Sequence, residues 1–292
     1  MTPAAVLRRL LEIPGKMIVA PGVYDGITAR LAAEAGFEVL YMTGAATAAS
    51  RLGQPDLGLI TLPEMASNAA MIAECSGLPV ISDADTGYGN SLNVIRTVRE
   101  FELAGVAGIH LEDQSFPKQC GHLDGKTVVP AEEFIGKIKA AVDTRRNPDF
   151  VIIARTDART VNGFDDALDR ARRYAEAGAD VVFVESPLSI EEMAAIPGRV
   201  PVPCMINMVG PASKTPPLPL AELERLGFKI AIYPTLPMDA VVNAMRQALQ
   251  RLRQEGVGWD ERKIVGPRKF FEAMGLNAWL AQEHKYRPGH RE

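Results

Sequence analysis

Eight short runs of β-branched and apolar residues, each ending in polar ones, recur along the chain: MIVAPG (17–22), EVLYMTG (38–44), PVISDAD (79–85), AGIHLED (107–113), FVIIARTD (150–157), DVVFVES (180–186), VPCMINM (202–208) and KIAIYPT (229–235). Their near-continuous hydrophobicity is that of strands buried on both faces; a half-exposed strand would alternate. Between them lie helical stretches: GITARLAAEAG, EMASNAAMIAECSG, LNVIRTVREFELAG, AEEFIGKIKAAVDTRR, FDDALDRARRYAEAG, SIEEMAAI, LAELERLG and DAVVNAMRQALQRLRQEG. In the first, Ile27, Leu31 and Ala35 recur along one face, and several stretches end in Gly, which stops a helix. Eight strands alternating with eight helices predict an α/β fold, a (β/α)8 TIM-type barrel. An open doubly wound sheet would carry a Gly-rich phosphate turn after its first strand; APGVYDG stands there instead. The chain reads as a single barrel domain, 1–292, with 257–292 as a C-terminal helical extension. In that extension KFFEAMGLNAWLAQEH reads as one amphipathic helix bearing Phe270, Phe271 and Trp279. Such an apolar surplus needs a surface to cover, either its own barrel or a partner subunit.

Bulk properties narrow the function. The 292 residues are 47% apolar and 23% charged, enough for a sizeable core. With 32 Lys and Arg against 36 Asp and Glu, the net charge of −4 gives no basic surface for nucleic acid or an anionic membrane. No apolar run approaches the ~20 residues that span a bilayer, and arginines interrupt the N-terminal apolar stretch, unlike a signal peptide. Cys75, Cys120 and Cys204 are odd in number and widely spaced, as suits a reducing cytoplasm without disulfides.

Barrel enzymes place their chemistry at the carboxyl ends of the strands. Those ends hold Thr43, Asp83, Asp85, Glu112, Asp113, Arg155, Asp157, Glu185 and Asn207. Residues two apart share a strand face, so Asp83 pairs with Asp85, His110 with Glu112, Arg155 with Asp157 and Tyr41 with Thr43. Three acids thereby converge at the mouth. Unless compensated they must protonate or hold a cation. Oxygen donors without a His or Cys pair at metal spacing favour a hard ion, Mg²⁺ or Mn²⁺. Asp56, in LGQPDLGLI, is either a further acid of that site or a turn former. The loop FPKQCGHLDGK (116–126) sets Cys120 among Lys118, His122 and Lys126 in an exposed, flexible segment whose glycines let it close. Those cations would stabilise a thiolate.

The segments YMTGAA, PDLGLIT, DADTGYGN, HLEDQSFPKQCGH, FVIIARTDA and INMVGPASKTP resemble the isocitrate lyase/phosphoenolpyruvate mutase superfamily, from about residue 15 to 256. The resemblance implies a Mg²⁺-dependent barrel acting on 2-oxo or 2-hydroxy carboxylates, tetrameric, with a C-terminal helix exchanged between subunits. It makes Asp85 the direct metal ligand, with Asp56, Asp83 and Glu112 acting directly or through water. Thr43, Gly44 and Ala45 would cradle a pyruvate-like carboxylate beside Arg155 and the lid's Gly121. Glu185, Asn207, Ser213 and Thr215 would meet the other carboxylate. Cys120 marks the lyase branch as proton donor, with His122, Lys118, Tyr41 and Glu112 in supporting catalytic roles.

Two departures bear on the substrate. Gln119 stands where lyases of this kind usually carry Lys or Arg, and Asp239 stands where methylisocitrate lyases carry an Arg for a tricarboxylate. An Asp there would repel a third carboxylate. The expected reaction is therefore cleavage of 2,3-dimethylmalate or another alkylmalate to pyruvate and a carboxylate. Methylisocitrate lyase, a carboxyphosphonoenolpyruvate or phosphonate mutase, an oxaloacetate-cleaving enzyme and a catalytically silent barrel are the alternatives.

Overall fold

A computed structural model describes residues 1–260 and 264–287. Residues 261–263 and 288–292 of the expected extension lie outside the described part. All eight apolar runs form strands: β1 (Ile18–Val23), β2 (Leu40–Met42), β3 (Val80–Asp83), β4 (Gly108–Glu112), β5 (Val151–Thr156), β6 (Val181–Val184), β7 (Cys204–Asn207) and β8 (Ile230–Tyr233). They pair in parallel, in sequence order, and β8 closes on β1 with Ile18 opposite Ile230. The alternation of side chains across each strand divides the apolar residues between two layers. Ile81, Val151, Ile153, Phe183 and Ile230 fill the barrel interior. Their neighbours Val80, Ile109, Leu111, Ile152 and Ala154 face the surrounding helices.

Two helices sit where sequence periodicity gave no element. α1 (Pro3–Glu12) begins at Thr2, whose hydroxyl accepts from the Ala5 amide at 3.2 Å, with proline at the tolerated first turn. Leu7 and Leu10 join the interior cluster and close the barrel floor. After α2 (Gly26–Glu34), strand β2 leads into α3 (Gly44–Leu52) ahead of the expected α4 (Leu62–Ser76). The C-terminal stretch read as one helix is two, because Gly275 takes φ +90° between α11 (Pro267–Ala273) and α12 (Leu276–Tyr286).

The other helices follow the barrel rhythm: α5 (Ser91–Leu103), α6 (Ala131–Thr144), α7 (Phe164–Glu176), α8 (Ile190–Arg199), α9 (Leu220–Arg225) and α10 (Leu236–Glu255). Two apolar stripes face outward. On α2 the buried positions are Thr28, Ala29 and Ala32, so Ile27 and Leu31 point away from the core that their spacing suggested. On α10 no residue is buried, and Val241, Met245, Leu249 and Leu252 stand exposed along one side. Phe271 and Trp279 beyond it are exposed as well. No described helix is long and apolar enough to cross a membrane.

Candidate active site

The strand ends gather their polar residues under a loop. Strand β3 stops at Asp83, and Asp85 lies in the following turn with a left-handed φ of +47°. Strand parity therefore does not place Asp85; the turn does. The Asp85 amide donates to Asp83 Oδ1 at 2.9 Å, and its carbonyl accepts from the Glu112 amide at 2.9 Å. Thr43 leaves β2 to cap α3, and the Gly44 amide donates to Asp83 Oδ2 at 3.3 Å. A side chain on Gly44 would collide with that carboxylate.

The acids do not pool into one bare cluster. Cations bridge them instead. Lys118 Nζ lies 2.6 Å from Asp56 Oδ1 and 2.7 Å from Asp85 Oδ1, and Asp56 is thus part of the site. Arg155 reaches Glu112 at 3.3 Å, Asp157 at 2.9 Å and Glu185 at 3.6 Å, over the ring of Phe183. Asp113 faces away, bonded to Thr156, Arg170 and Tyr174. Burial pushes the Asp85 carboxyl up to about 6 against the pull of Lys118, with Asp83 and Asp56 adding to the rise. Burial likewise holds Glu112 well above the usual carboxylate range, although Arg155 and Lys118 oppose it.

Whether these residues suit a divalent ion is decided by what they leave unpaired. Both Glu112 oxygens are buried and accept no hydrogen bond, with Arg155 3.3 Å from Oε2, whereas Asp85 Oδ1 is held by Lys118. Lys118 holds a positive charge between Asp56 and Asp85, where a hard cation would be matched. Among the described residues no three His, Cys, Asp or Glu side chains form a group able to hold an ion by themselves. The donor set fits an ion with few protein ligands that keeps water or substrate oxygens, the habit of Mg²⁺.

The loop over the mouth, residues 114–128, is drawn in at its neck. Gln114 bridges Val128, the Ser115 amide donates to Thr127, and the Gln114 side chain clasps the Gln119 backbone at 2.8 and 3.0 Å. Farther along, Lys126 Nζ donates to the Gly121 carbonyl and to Asp157 Oδ1 at 3.0 Å. His122 Nε2 lies 3.3 Å from Glu185 and 3.4 Å from Asn207, and the Lys214 amide donates to its Nδ1 at 3.4 Å. Ser213 turns its hydroxyl to the Thr215 carbonyl at 3.0 Å, whereas the buried Thr215 hydroxyl has no partner.

Cys120 corrects the expectation of an exposed thiolate. It is partly buried and lines the cavity; burial pushes its pKa up. The lysines meant to activate it are engaged with Asp56, Asp85 and Asp157. Here the sulfur is a neutral thiol, able to give a proton and poor at attacking carbon.

Beneath the loop remains a cavity of about 90 Å³, lined by Tyr41, Thr43, Ala45, Asp56, Asp83, Cys120, Gly121, His122, Arg155, Glu185 and Asn207. Ala46, Val209, Pro234, Thr235 and Met238 complete the lining, and all but Thr235 are apolar. Asp239, given a role on sequence grounds, does not line it and is exposed on α10. Sequence reasoning assigned no role to Met238, and it placed His110 only on the strand face of Glu112. Met238 opens a helix, with no polar pattern to mark it. His110 looks like one more strand residue, yet its ring stacks on Tyr41 and its Nε2 lies 2.7 Å from the Tyr41 hydroxyl.

Two measurements probe this arrangement. A Cβ on Gly121 would overlap Arg155 and Glu185, so Gly121→Ala should keep the loop from seating and cut kcat/KM by about 10²-fold. Easier proteolytic nicking within 116–126 would accompany the loss; undiminished turnover would mean that the loop need not seat. Burial holds His110 down to about 4 against an unfolded value of about 6.5. Between those values the unfolded chain binds the extra proton, so this residue's contribution to stability falls as pH drops from 6.5 to 4. Asp85, shifted up, acts in the opposite sense, and the readout is therefore the difference between wild type and His110→Gln. Urea unfolding should show wild type losing about 3 kcal/mol relative to the variant across that window. Parallel profiles would contradict a neutral buried His110.

Fold and mouth together define a (β/α)8-barrel enzyme with a loop-covered, acid-lined site. The phosphoenolpyruvate phosphomutase family model matches residues 7–253, and the chain belongs to that family. It is 50% identical over 290 residues to 2,3-dimethylmalate lyase of Eubacterium barkeri, covering 99% of this chain and 100% of that one. To 2-methylisocitrate lyase of Aeropyrum pernix it is 44% identical over 276 residues, covering 94% and 88%. A structure of oxaloacetate acetylhydrolase with 3,3-difluorooxalacetate superposes with a TM-score of 0.94 at 44% identity, covering 97% of each chain. Phosphonopyruvate hydrolase, solved with oxalate and Mg++, gives 0.88 at 31% identity, covering 98% of this chain and 99% of that one.

Proposed function

We propose that this enzyme is a Mg²⁺-dependent carbon–carbon lyase that splits 2,3-dimethylmalate or a related alkylmalate into pyruvate and a carboxylate such as propionate. The observation that carries this reading is the cavity itself, which gathers Arg155 and a lid thiol with an apolar wall of Val209, Pro234 and Met238. Arg155 and the α3 N-terminus at Thr43, Gly44 and Ala45 bind the C1 carboxylate. Asn207 and His122 meet the C4 carboxylate, with Ser213 and Thr215 on the neighbouring segment. The apolar wall receives alkyl substituents and offers no cation to a third carboxylate.

The C2 hydroxyl gives its proton to the Tyr41 oxygen while Tyr41 passes its own to neutral His110. The C2–C3 bond then breaks, C2 becomes the carbonyl of pyruvate, and the bond pair moves to C3 as an enediolate. Cys120 protonates C3 as the closed loop excludes water. Asp85, with Asp56, Asp83 and Glu112 near it, would hold the ion. When bound, Mg²⁺ (Mn²⁺ as substitute) lowers the pKa of the hydroxyl and stabilises charge on its oxygen.

The uncovered stripes on α2 and α10 support assembly with further copies of this chain, a tetramer built from pairs that exchange C-terminal helices. Light scattering should return four chains. Three free cysteines and a mouth that relies on a reduced thiol favour the cytoplasm. The decisive experiment is pyruvate release, with and without Mg²⁺, across 2-hydroxy di- and tricarboxylates. Dimethylmalate should lead; faster turnover of 2-methylisocitrate would defeat the substrate assignment, and no pyruvate from any of them would defeat the lyase.

A further inference from the structure

Behind the mouth lies a second buried charge group, which the proposed chemistry leaves unused. Asp113, the residue after β4, is enclosed, and four donors meet its carboxylate. Oδ1 takes the Asp157 amide at 2.9 Å. Oδ2 takes the Thr156 hydroxyl at 2.8 Å, the Tyr174 hydroxyl at 2.8 Å and Arg170 Nη1 at 3.2 Å. Tyr174 and Arg170 come from α7, outside the barrel, and neither lines the cavity beneath the loop.

Two of these bonds lead to the loop. Residues 114–128 leave the barrel just after Asp113 and return at Val129, and the Val129 amide joins the two ends by donating to the Asp113 carbonyl at 2.9 Å. Arg170 fastens the same point from outside. Its Nη1, besides meeting Asp113, donates to the Val129 carbonyl at 2.8 Å, while Nε is aimed by Asp166 at 2.8 Å. A hydrogen bond from a charged donor is the stronger kind. On the other side, Asp157 receives Lys126 from the loop, and the Asp157 amide hangs on Asp113 Oδ1. One carboxylate therefore holds the neck of the loop through Arg170 and the loop's anchor through an amide.

A loop gripped at its neck has few arrangements, so seating it costs little entropy; a neck set free multiplies the open ones. We propose that Arg170 is a positioning residue for the loop: through Asp113 it pins Val129 at a set distance from Asp157, so that Lys126 finds its partner and Cys120 returns to the mouth at each closure. Such positioning rests on the closing loop of the proposed function, though not on which bond the enzyme breaks.

Alkylation by iodoacetamide, followed at each cysteine by mass spectrometry, reads the loop without any substrate. Cys75, near the end of α4 and partly buried like Cys120, is the internal reference. Arg170→Met removes the charge. Arg170→Lys keeps it, but a shorter ammonium meets Asp113 or Val129 and not both. We expect Cys120 to react about 10–100-fold faster in Arg170→Met, the worth of a hydrogen bond from a charged donor, and faster to a smaller extent in Arg170→Lys, with Cys75 unchanged in both. In the pyruvate assay kcat should fall while KM, which depends on Arg155 and the α3 N-terminus, moves little. Should Arg170→Met fail to fold, Arg170→Lys decides. Cys75 and Cys120 quickening together would mean general loosening and would overturn the proposal, as would an unchanged Cys120 rate. Wild-type Cys120 reacting as fast as in the urea-unfolded chain would leave no seated loop to position, and overturn it too. Absence of pyruvate release from wild type would defeat the lyase reading alone; the alkylation rates decide Arg170 without it.

Discussion

Cys120→Ser should lower turnover by about 10²–10⁴-fold, the usual worth of a general acid, while leaving ion affinity and melting temperature unchanged. The reason lies in the thiol's surroundings. Cys120 faces the cavity in its neutral form, because burial opposes ionisation and the nearby ammonium groups are committed to Asp56, Asp85 and Asp157. A neutral thiol gives up its proton far more readily than a serine hydroxyl, and in the proposed reaction the enediolate must be protonated while the loop is closed. A burst of pyruvate followed by slow turnover would locate the defect after bond cleavage. Wild-type turnover by the variant would exclude Cys120 as proton donor.

Arg155→Met should be the most damaging single change to stability, by about 3–5 kcal/mol, the cost of removing one member of a buried charge network. The guanidinium is almost wholly enclosed and is shared among Glu112, Asp157 and Glu185. Methionine fills much of the space, so the loss reports stranded carboxylates. Burial would raise the Asp157 carboxyl, but Arg155 and Lys126 outweigh it and hold it well below its ordinary value. A depressed carboxylate contributes stability above its unfolded pKa of about 3.9, lost as pH falls toward the folded value. The variant has forfeited that contribution, so the gap between the two proteins should narrow as pH falls below about 4. A gap under 1 kcal/mol at neutral pH would show that Lys126 alone suffices for Asp157.

Much of this architecture is legible in residue order because buried parallel strands admit few polar residues. The eight apolar runs stand out, and so do the polar residues at their ends. Legibility failed where tertiary context outranked periodicity. Ile27 and Leu31 have core-like spacing, yet α2 turns Ala29 and Ala32 inward because a helix lying close against strands has room for little more than a methyl group. Asp85 reaches the mouth through a left-handed turn, invisible to a rule about strand faces. For Cys120, the neighbouring cations were legible but their partners were not, since Asp56 lies more than sixty residues away. Asp239 shows the reverse error: it stands at a position singled out by resemblance, yet the adjacent Met238 faces the cavity.

Asp157 joins the loop over the mouth to Arg155. Its Oδ1 takes Lys126 from the loop at 3.0 Å and Arg155 from the barrel at 3.1 Å. Lifting the loop would withdraw Lys126, leaving all of that negative charge to Arg155 and muting its attraction for the carboxylate proposed to bind there. Reseating would restore the second cation and sharpen the attraction once more. In the proposed reaction the movement that admits solvent is thus also the one that loosens the grip, and product escape and gate opening would be a single electrostatic event.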